Sequence, residues 1–252
     1  MINESMIYKI NNSLMKILMV SIMFHFVAAT IMAQSNIGNK YGLNVVDNIK
    51  ILQTEIANDS NKKMIDIKKA IPSLRIDLRY ATTNNFMHRR LYPSLKTTYL
   101  RLAAVNALKK VVIALNDKNL TLKIFDAYRP YAVTEEMWKV VKDSRYAADP
   151  AKGSGHNRGT SVDLTLANLQ TKKELDMGTG FDNFTDTAHV DFNALPSIIL
   201  QNRSLLKTTM EKYGFISLDT EWWHFSLPDA NNYELLNIPF DALKKLNESK
   251  KY

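Results

Sequence analysis

Apolar residues in this chain recur at two different spacings, and the changes between them limit the fold more than any other sequence feature. Between residues 98 and 116 they recur every three or four positions, at Leu102, Val105, Leu108, Val112 and Leu115. This spacing places them on one face of a helix. Further helices are predicted at about 133–142 and 196–213, the second ending before Gly214, a residue suited to a left-handed helix terminus.

Other segments alternate apolar and polar residues, which is typical of strands with one buried face. Such alternation occurs at 74–78 and again at 120–124. Shorter strands are predicted at 161–166 and 221–227, the first of them after a glycine-rich loop at 153–159. Because helices and strands follow one another without regular alternation, the sequence predicts an α+β fold, with a central, mainly antiparallel sheet flanked by helices in a single domain.

The first 33 residues have the layout of a secretory signal. An uncharged apolar run at 17–33 follows Lys9 and Lys16 and ends in small residues before Gln34. We predict cleavage after Ala33, giving an exported, periplasmic protein without stable membrane association. The alternative is an uncleaved membrane anchor, because a run of this length is near the lower limit for crossing a hydrocarbon core of about 30 Å.

The remaining composition excludes several kinds of site. Residues 34–65 are polar and weakly patterned, so they are predicted to be linker and surface turns, and residues 66–252 to form the functional domain. The 33 basic and 25 acidic residues include no run of five like charges, and aromatic residues are not interleaved with basic clusters. A nucleic-acid partner is therefore not expected. Cysteine is absent, so any metal must be bound by histidine and carboxylate ligands.

Three segments concentrate the residues that a metallopeptidase needs: FDAYRP at 125–130, SGHNRGTSVDLTL at 154–166 and EWWHFSL at 221–227. Each is a weak signal alone, because a lone histidine is more often a structural residue than a metal ligand. Together they supply two histidines and a carboxylate, a ligand set that suits a catalytic zinc with one position open for water. We therefore predict one zinc ion per chain, bound by His156, Asp163 and His224.

Two further residues complete the predicted chemistry. Glu221 lies three residues before His224, where its carboxylate can accept a proton from the attacking water. Residues three apart on a regular strand point to opposite faces, so a bulge or strand end is predicted at Trp222 and Trp223. The alternative is that the two tryptophans are only core residues. Arg129 lies in a turn bounded by proline, where a guanidinium can stabilise a developing oxyanion; a surface salt bridge is the alternative.

Five segments in a fixed order resemble a known family. They are DLRYATTNNF at 77–86, DAYRP at 126–130, SGHNRGTSVDLTL at 154–166, MGTGFDNF at 177–184 and EWWH at 221–224. The family is that of the VanX-type D-alanyl-D-alanine dipeptidases, zinc peptidases related to D,D-carboxypeptidases and to the hedgehog amino-terminal domain. The resemblance implies the fold of these zinc peptidases and the same zinc ligands, with Glu221 as the base and Arg129 stabilising the transition state.

Other roles follow from the resemblance alone. Asp182 falls on the acidic position associated with the ammonium group of a dipeptide substrate, and Ser154 on the polar position near its carboxylate. Gly155 departs from the family, in which serine is common at this position, and we expect it to loosen the loop before the first ligand. His88 and His189 are not assigned to the metal.

The resemblance implies zinc-dependent hydrolysis of D-alanyl-D-alanine, with a small free dipeptide as the substrate. Two alternatives stay open: a D,D-carboxypeptidase that acts on longer peptidoglycan peptides, and a non-catalytic binding module that holds zinc. Because an exported enzyme would not meet the cytosolic dipeptide pool, we expect salvage or turnover of wall-derived dipeptides rather than glycopeptide resistance. The sequence indicates no oligomeric state.

Overall fold

The computed structural model of the protein describes residues 39–249, and the predicted signal segment lies outside them. Residues 39–44 belong to one compact unit, in which the Asn39 side chain accepts hydrogen bonds from the backbone N–H groups of Tyr41 and Leu43. The second unit begins at Val45. Within the described range, no helix combines the length and apolar character needed to cross a membrane.

The second unit contains both strands and helices. Its strands are β1 (Val45–Val46), β2 (Met64–Asp66), β3 (Arg75–Ile76), β4 (Tyr99–Arg101), β5 (Leu120–Asp126), β6 (Ser161–Asn168), β7 (Ile216–Leu218), β8 (Glu221–Ser226) and β9 (Leu235–Leu236). Its α-helices are α1 (Ile49–Asn58), α2 (Ile67–Ala70), α3 (Leu102–Asn116), α4 (Tyr131–Val140), α5 (Gly155–Arg158), α6 (Ser197–Lys212) and α7 (Phe240–Glu248).

A five-stranded sheet in the order β3-β5-β6-β8-β7 forms the centre of this unit. Strand β3 pairs with β5 in parallel, and the other neighbours in the sheet are antiparallel. Strands β1 and β9 form a separate parallel pair, and β2 and β4 a separate antiparallel pair. The predicted α+β fold with a mainly antiparallel sheet is confirmed.

Helix α3 shows how burial sets the boundaries of the elements. Its buried face contains Ala104, Val105, Leu108, Val111, Val112 and Leu115. The predicted apolar face is therefore confirmed, but the helix begins at Leu102 instead of residue 98. The residues before it pair with β2 as strand β4, and the three strand residues are all buried.

Two predictions about irregular segments are wrong. Residues 34–65 are not only linker and turns, because 49–58 form α1, whose Leu52 and Ile56 are buried in the core. This helix is hard to find from sequence, since only these two of its residues are fully buried and Ile49 packs against the core while partly exposed. The segment at 153–159 is not simply a loop, because it contains α5, and the Ser154 hydroxyl accepts a hydrogen bond from the His156 N–H at 3.1 Å as its N-cap.

Arg101, the last residue of β4, holds the segment around α5 in place and is fully buried. Its Nε donates to the Arg158 carbonyl at 2.7 Å, its Nη1 to the Lys62 carbonyl at 2.6 Å and its Nη2 to the Glu234 carboxylate at 3.3 Å. Burial lowers the pKa of Arg101 to about 10, although the Glu234 carboxylate opposes this shift. The guanidinium therefore stays charged and connects three separate segments.

We predict that Arg101→Ala lowers the free energy of unfolding by about 2 to 5 kcal/mol, because it removes the donor from several buried acceptors. Urea unfolding measures this change. Arg90→Ala, at an exposed position, is the matched control, and we expect it to change stability by less than about 0.5 kcal/mol. Equal effects of the two substitutions would contradict the role given to Arg101.

Candidate metal centre

Neighbouring strands bring three ionisable side chains into one row across the sheet. Asp126 of β5 pairs with Asp163 of β6, and Asp163 pairs with His224 of β8. Directly paired residues project to the same face of an antiparallel sheet. A register shift between Ile124 and Asp126 makes the first pair possible, since strict alternation would turn Asp126 to the opposite face.

The structure brings the three predicted metal ligands together. His156 reaches the row from α5, and its Nε2 lies 3.2 Å from His224 Nδ1 and 3.3 Å from Asp163 Oδ2. Asp163 Oδ1 lies 2.9 Å from His224 Nδ1. Zinc bonds of about 2.0–2.2 Å in a tetrahedral arrangement separate neighbouring ligand atoms by roughly 3.3 Å. The spacing of the three donors therefore fits a zinc ion.

The other ring nitrogens also fit metal binding. His156 Nδ1 lies 2.7 Å from the Ala127 carbonyl, which can only accept, so Nδ1 carries the hydrogen. His224 Nε2 lies 3.0 Å from Ser226 Oγ, a hydroxyl that can accept the Nε2 hydrogen when Nδ1 binds a metal. Each histidine then directs an unprotonated nitrogen at the donor group, and second partners of this kind commonly orient metal-binding histidines.

Negative charge exceeds positive charge around the donors. Burial raises the pKa of Glu221 well above its usual range, and the carboxylates of Asp163 and Asp182 add to the shift. Burial also raises the pKa of Asp182 to about 7. Burial acts on Asp163 in the same direction, but the two histidines outweigh it and hold the pKa of that carboxyl below its usual range. A divalent cation would offset this excess of carboxylates, which is a second respect in which the site fits a metal.

Glu221 and His224 line one cavity although they are three residues apart on β8. The pairing of β8 with β7 is irregular between Glu221 and Phe225, so strict alternation does not hold there. The predicted bulge at Trp222 and Trp223 is confirmed. Both tryptophans are also buried in the core, so the two interpretations, an irregular backbone and a core position, hold together.

Arg129 forms a buried ion pair, so the alternative of a surface salt bridge is wrong. Its Nε and Nη2 donate to Asp126 Oδ2 at 3.1 and 2.9 Å, and its guanidinium carbon lies 5.2 Å from the centre of the Tyr80 ring. Burial lowers the pKa of Arg129, but Asp126, Tyr92, Tyr80 and Asp163 together outweigh this effect and raise the pKa above the usual range. The Tyr92 hydroxyl donates to Asp126 Oδ1 at 2.9 Å. Sequence reasoning missed Asp126 and Tyr92, although the three-residue spacing within DAYRP was a signal for the first.

A cavity of about 160 Å³ opens beside the donor group. Every site residue predicted from the sequence lines it: Arg129, Ser154, His156, Asp163, Asp182, Glu221 and His224. Asp182 has a left-handed backbone with φ 61°, and its carboxylate accepts hydrogen bonds from the Tyr80 hydroxyl at 2.9 Å and the Phe86 N–H at 3.2 Å. The strained backbone and these two donors aim the carboxylate at a fixed place in the cavity wall.

The expectation that Gly155 loosens this region is wrong. Gly155 is the first residue of α5, whose N-cap Ser154 accepts from the His156 N–H and donates its own N–H to Asn157 Oδ1 at 3.0 Å. A Cβ added at Gly155 would lie 1.9 Å from Ser161 Oγ. The glycine therefore makes room for a neighbouring side chain in a well-capped turn.

Comparison with known proteins gives a consistent result. A family model described as D-ala-D-ala dipeptidase matches residues 60–243. A D-alanyl-D-alanine dipeptidase of Escherichia coli (strain K12) is 36% identical over 180 residues, which cover 71% of this chain and 92% of that protein. One of Streptomyces coelicolor is 29% identical over 182 residues, covering 65% and 90%. A solved structure of the LD-carboxypeptidase LdcB covers 56% of this chain and 68% of its own, at 19% identity and a TM-score of 0.34.

The raised pKa of Asp182 predicts how stability depends on pH in zinc-free protein. The folded state keeps the carboxyl protonated up to about pH 7, whereas the unfolded chain loses this proton near pH 3.9. The free energy of unfolding should therefore fall as pH rises through this window, by at most about 1.4 kcal/mol per pH unit from this group.

Urea unfolding of the wild type and of Asp182→Asn between pH 4.5 and 7.5 isolates the contribution of this carboxyl. We expect the wild type to lose stability relative to the variant as pH rises. A constant difference between the two across this range would contradict the raised pKa.

Proposed function

The chain belongs to the D-Ala-D-Ala dipeptidase family of metallopeptidases, and on this basis we propose that it is a zinc dipeptidase that hydrolyses D-alanyl-D-alanine to two D-alanine molecules. One observation carries the proposal. A group of three metal donors, the Glu221 carboxylate and the Arg129 guanidinium all line one small cavity. This combination supplies a metal site, a proton acceptor and a donor for an oxyanion, as metal-assisted peptide hydrolysis requires.

The size and polarity of the cavity favour a small zwitterionic substrate. Binding sites for drug-sized ligands measure roughly 300–1,000 Å³, and this cavity of about 160 Å³ is well below that range. A free dipeptide buries an ammonium and a carboxylate, and each needs a partner because an unpaired buried charge is costly. We assign the ammonium to Asp182 and the carboxylate to the hydroxyl of Ser154. These assignments favour a dipeptidase over a carboxypeptidase that acts on longer chains.

The proposed roles in the reaction follow from where each side chain lies. A zinc ion held by His156, Asp163 and His224 would lower the pKa of a water molecule toward about 7 and polarise the scissile carbonyl. Glu221 accepts the proton of the attacking water at its carboxylate and then donates it to the nitrogen of the departing D-alanine. Burial raises the pKa of Glu221, so its ionised carboxylate is a stronger proton acceptor than an exposed one and can later return the proton.

Arg129 stabilises the oxyanion of the tetrahedral intermediate. Asp126 engages Nε and Nη2 of its guanidinium, and within residues 39–249 no hydrogen bond engages Nη1. Because Asp126 fixes the plane of the guanidinium, Nη1 has a set orientation toward the cavity, and the Arg129 side chain loses little conformational entropy when the substrate binds. Retention of this arginine and of Glu221 disfavours a binding module that holds zinc without catalysis.

We also propose that the enzyme acts after export, in the periplasm, on dipeptides released from the cell wall. The proposal rests on the apolar segment at 17–33 and on the basic residues before it. Cell fractionation tests it, and a protein found entirely in the cytosol would contradict the salvage role.

Purified protein should cleave free D-Ala-D-Ala only when zinc is present. Under the same conditions, N-acetyl-D-Ala-D-Ala should remain intact, because the cavity is small and the acetyl group removes the ammonium, and L-Ala-L-Ala should remain intact if the D preference of the family holds for this chain. Release of D-alanine measures the reaction. Cleavage of the acetylated substrate would assign the carboxypeptidase alternative, and zinc binding without any cleavage would assign the binding module.

Glu221→Gln should lower kcat by about 10²- to 10⁴-fold, because the variant keeps the shape of the side chain and loses the proton acceptor. Its zinc content should match that of the wild type, since Glu221 is not among the three donors. Loss of the zinc together with the activity would instead indicate that Glu221 is a ligand.

Arg129→Lys should lower kcat by about 10²- to 10³-fold, because an ammonium cannot keep the paired contacts to Asp126 and still reach the oxyanion. Arg90→Lys, at an exposed position, is the control and should keep full activity. A variant with unchanged kcat and raised KM would move Arg129 from transition-state stabilisation to substrate binding.

A further inference from the structure

The two histidine donors are oriented by different kinds of partner. His156 is bonded to the backbone carbonyl of Ala127, a partner that no side-chain substitution removes. His224 is bonded to the side chain of Ser226. The His224 side chain is also the more exposed of the two, at 15% against 3%. The orientation of His224 therefore depends much more on a single side-chain contact.

Ser226 is itself held by Ser161. The β6–β8 register pairs Ser161 with Ser226, two residues along from the pair of Asp163 and His224. Residues two apart on a strand share a face, so the two pairs form a square on the sheet. The two serine hydroxyl oxygens lie 2.5 Å apart, and Ser161 is fully buried.

The direction of the hydrogen bonds follows from the chemistry of the groups. A hydroxyl has one hydrogen and two acceptor lone pairs. When Nδ1 binds the metal, the ring hydrogen of His224 is on Nε2 and is donated to Ser226 Oγ, so the Ser226 hydrogen is left to donate to Ser161 Oγ. In this tautomer the chain of bonds from His224 to Ser226 to Ser161 holds the ring with Nδ1 directed at the other donors.

Gly155 makes this arrangement possible. A Cβ at this position would lie 1.9 Å from Ser161 Oγ and 3.1 Å from Ser161 Cβ. Gly155 lies in a helical turn and its φ is not positive, so its backbone conformation alone does not require glycine. Glycine is needed here because the Ser161 hydroxyl occupies the space that a side chain would fill.

We propose that Ser226 and Ser161 are positioning residues for the metal centre, and that Gly155 leaves the space that the Ser161 hydroxyl occupies. Together they fix the tautomer and ring orientation of His224. The inference rests on the proposed metal site. It predicts that zinc affinity depends on two hydroxyls that touch neither the metal nor the substrate, as partners of metal-binding histidines typically contribute about 10- to 100-fold in metal affinity.

The first test measures zinc affinity by competition with a chromophoric chelator, without any activity assay. Ser226→Ala should bind zinc about 10- to 100-fold more weakly than the wild type. Ser226→Thr keeps the hydroxyl on a side chain that suits a strand, so it should restore most of the affinity. The matched control is Ser217→Ala on β7, which removes a hydroxyl bonded to Glu211 at 3.0 Å and should leave zinc affinity unchanged.

The second test concerns the contact between Gly155 and Ser161 in zinc-free protein. Gly155→Ala should lower Tm by about 2 to 10 °C, because the added methyl overlaps the Ser161 hydroxyl. In a Ser161→Ala background the same substitution should lower Tm clearly less, since the 1.9 Å overlap is gone and the remaining contacts are 3.1 Å to the Cβ of residue 161 and 3.3 Å to Thr160 Oγ1. Equal losses of Tm in the two backgrounds would overturn the role given to Gly155.

The outcomes separate this inference from the proposed function. A wild type that binds zinc tightly, together with a Ser226→Ala variant that binds it equally tightly, overturns only the positioning role. A wild type that binds no zinc overturns the proposed metal centre, and the positioning role with it. Weakened binding in Ser226→Ala with recovery in Ser226→Thr supports both.

Discussion

The buried carboxylate of Asp163 is the group on which the rest of the site depends. Removing a charged carboxylate from water is costly unless cations and hydrogen-bond donors surround it. Here Arg129 Nη2 lies 4.0 Å from the carboxylate, and a zinc ion shared with His224 Nδ1, 2.9 Å away, and His156 Nε2, 3.3 Å away, would supply the rest of the positive charge. His224 lies on β8, His156 on α5 and Arg129 in the turn after β5, so the charge of Asp163 is stabilised only when these three segments are brought together around β6.

Strand register therefore links the fold to the proposed chemistry. A slip of one residue between β6 and β8 would turn His224 to the opposite face of the sheet and leave Asp163 without that partner. The pairing is irregular near both ends of the row formed by Asp126, Asp163 and His224, and each irregularity changes the face of the sheet on which a side chain lies. The shift at the end of β5 brings Asp126 beside Asp163, and the irregularity in β8 lets Glu221 line the same cavity as His224.

The sequence predicts the parts of the site whose signal is local. His156, Asp163, Glu221 and His224 lie in short segments of unusual composition next to alternating strands, and the three-residue step in EWWH requires the irregular backbone that the structure has. Partners that depend on pairing between distant segments could not be predicted. Ser161 and Ser226 are ordinary polar residues in sequence, 65 positions apart, and only the register of β6 with β8 brings their hydroxyls together. Helix α1 was missed for a similar reason: its two buried residues can be recognised as core only once the distant segments that they contact are known.

The central claim is that two imidazoles and one carboxylate form a metal centre, and X-ray absorption at the zinc edge of the zinc-loaded protein tests it most directly. Zinc–ligand distances of about 2.0–2.2 Å are expected, with outer-shell scattering from two imidazoles, and from one imidazole in His224→Ala. A spectrum with three or more imidazoles, or one that His224→Ala leaves unchanged, would contradict the account.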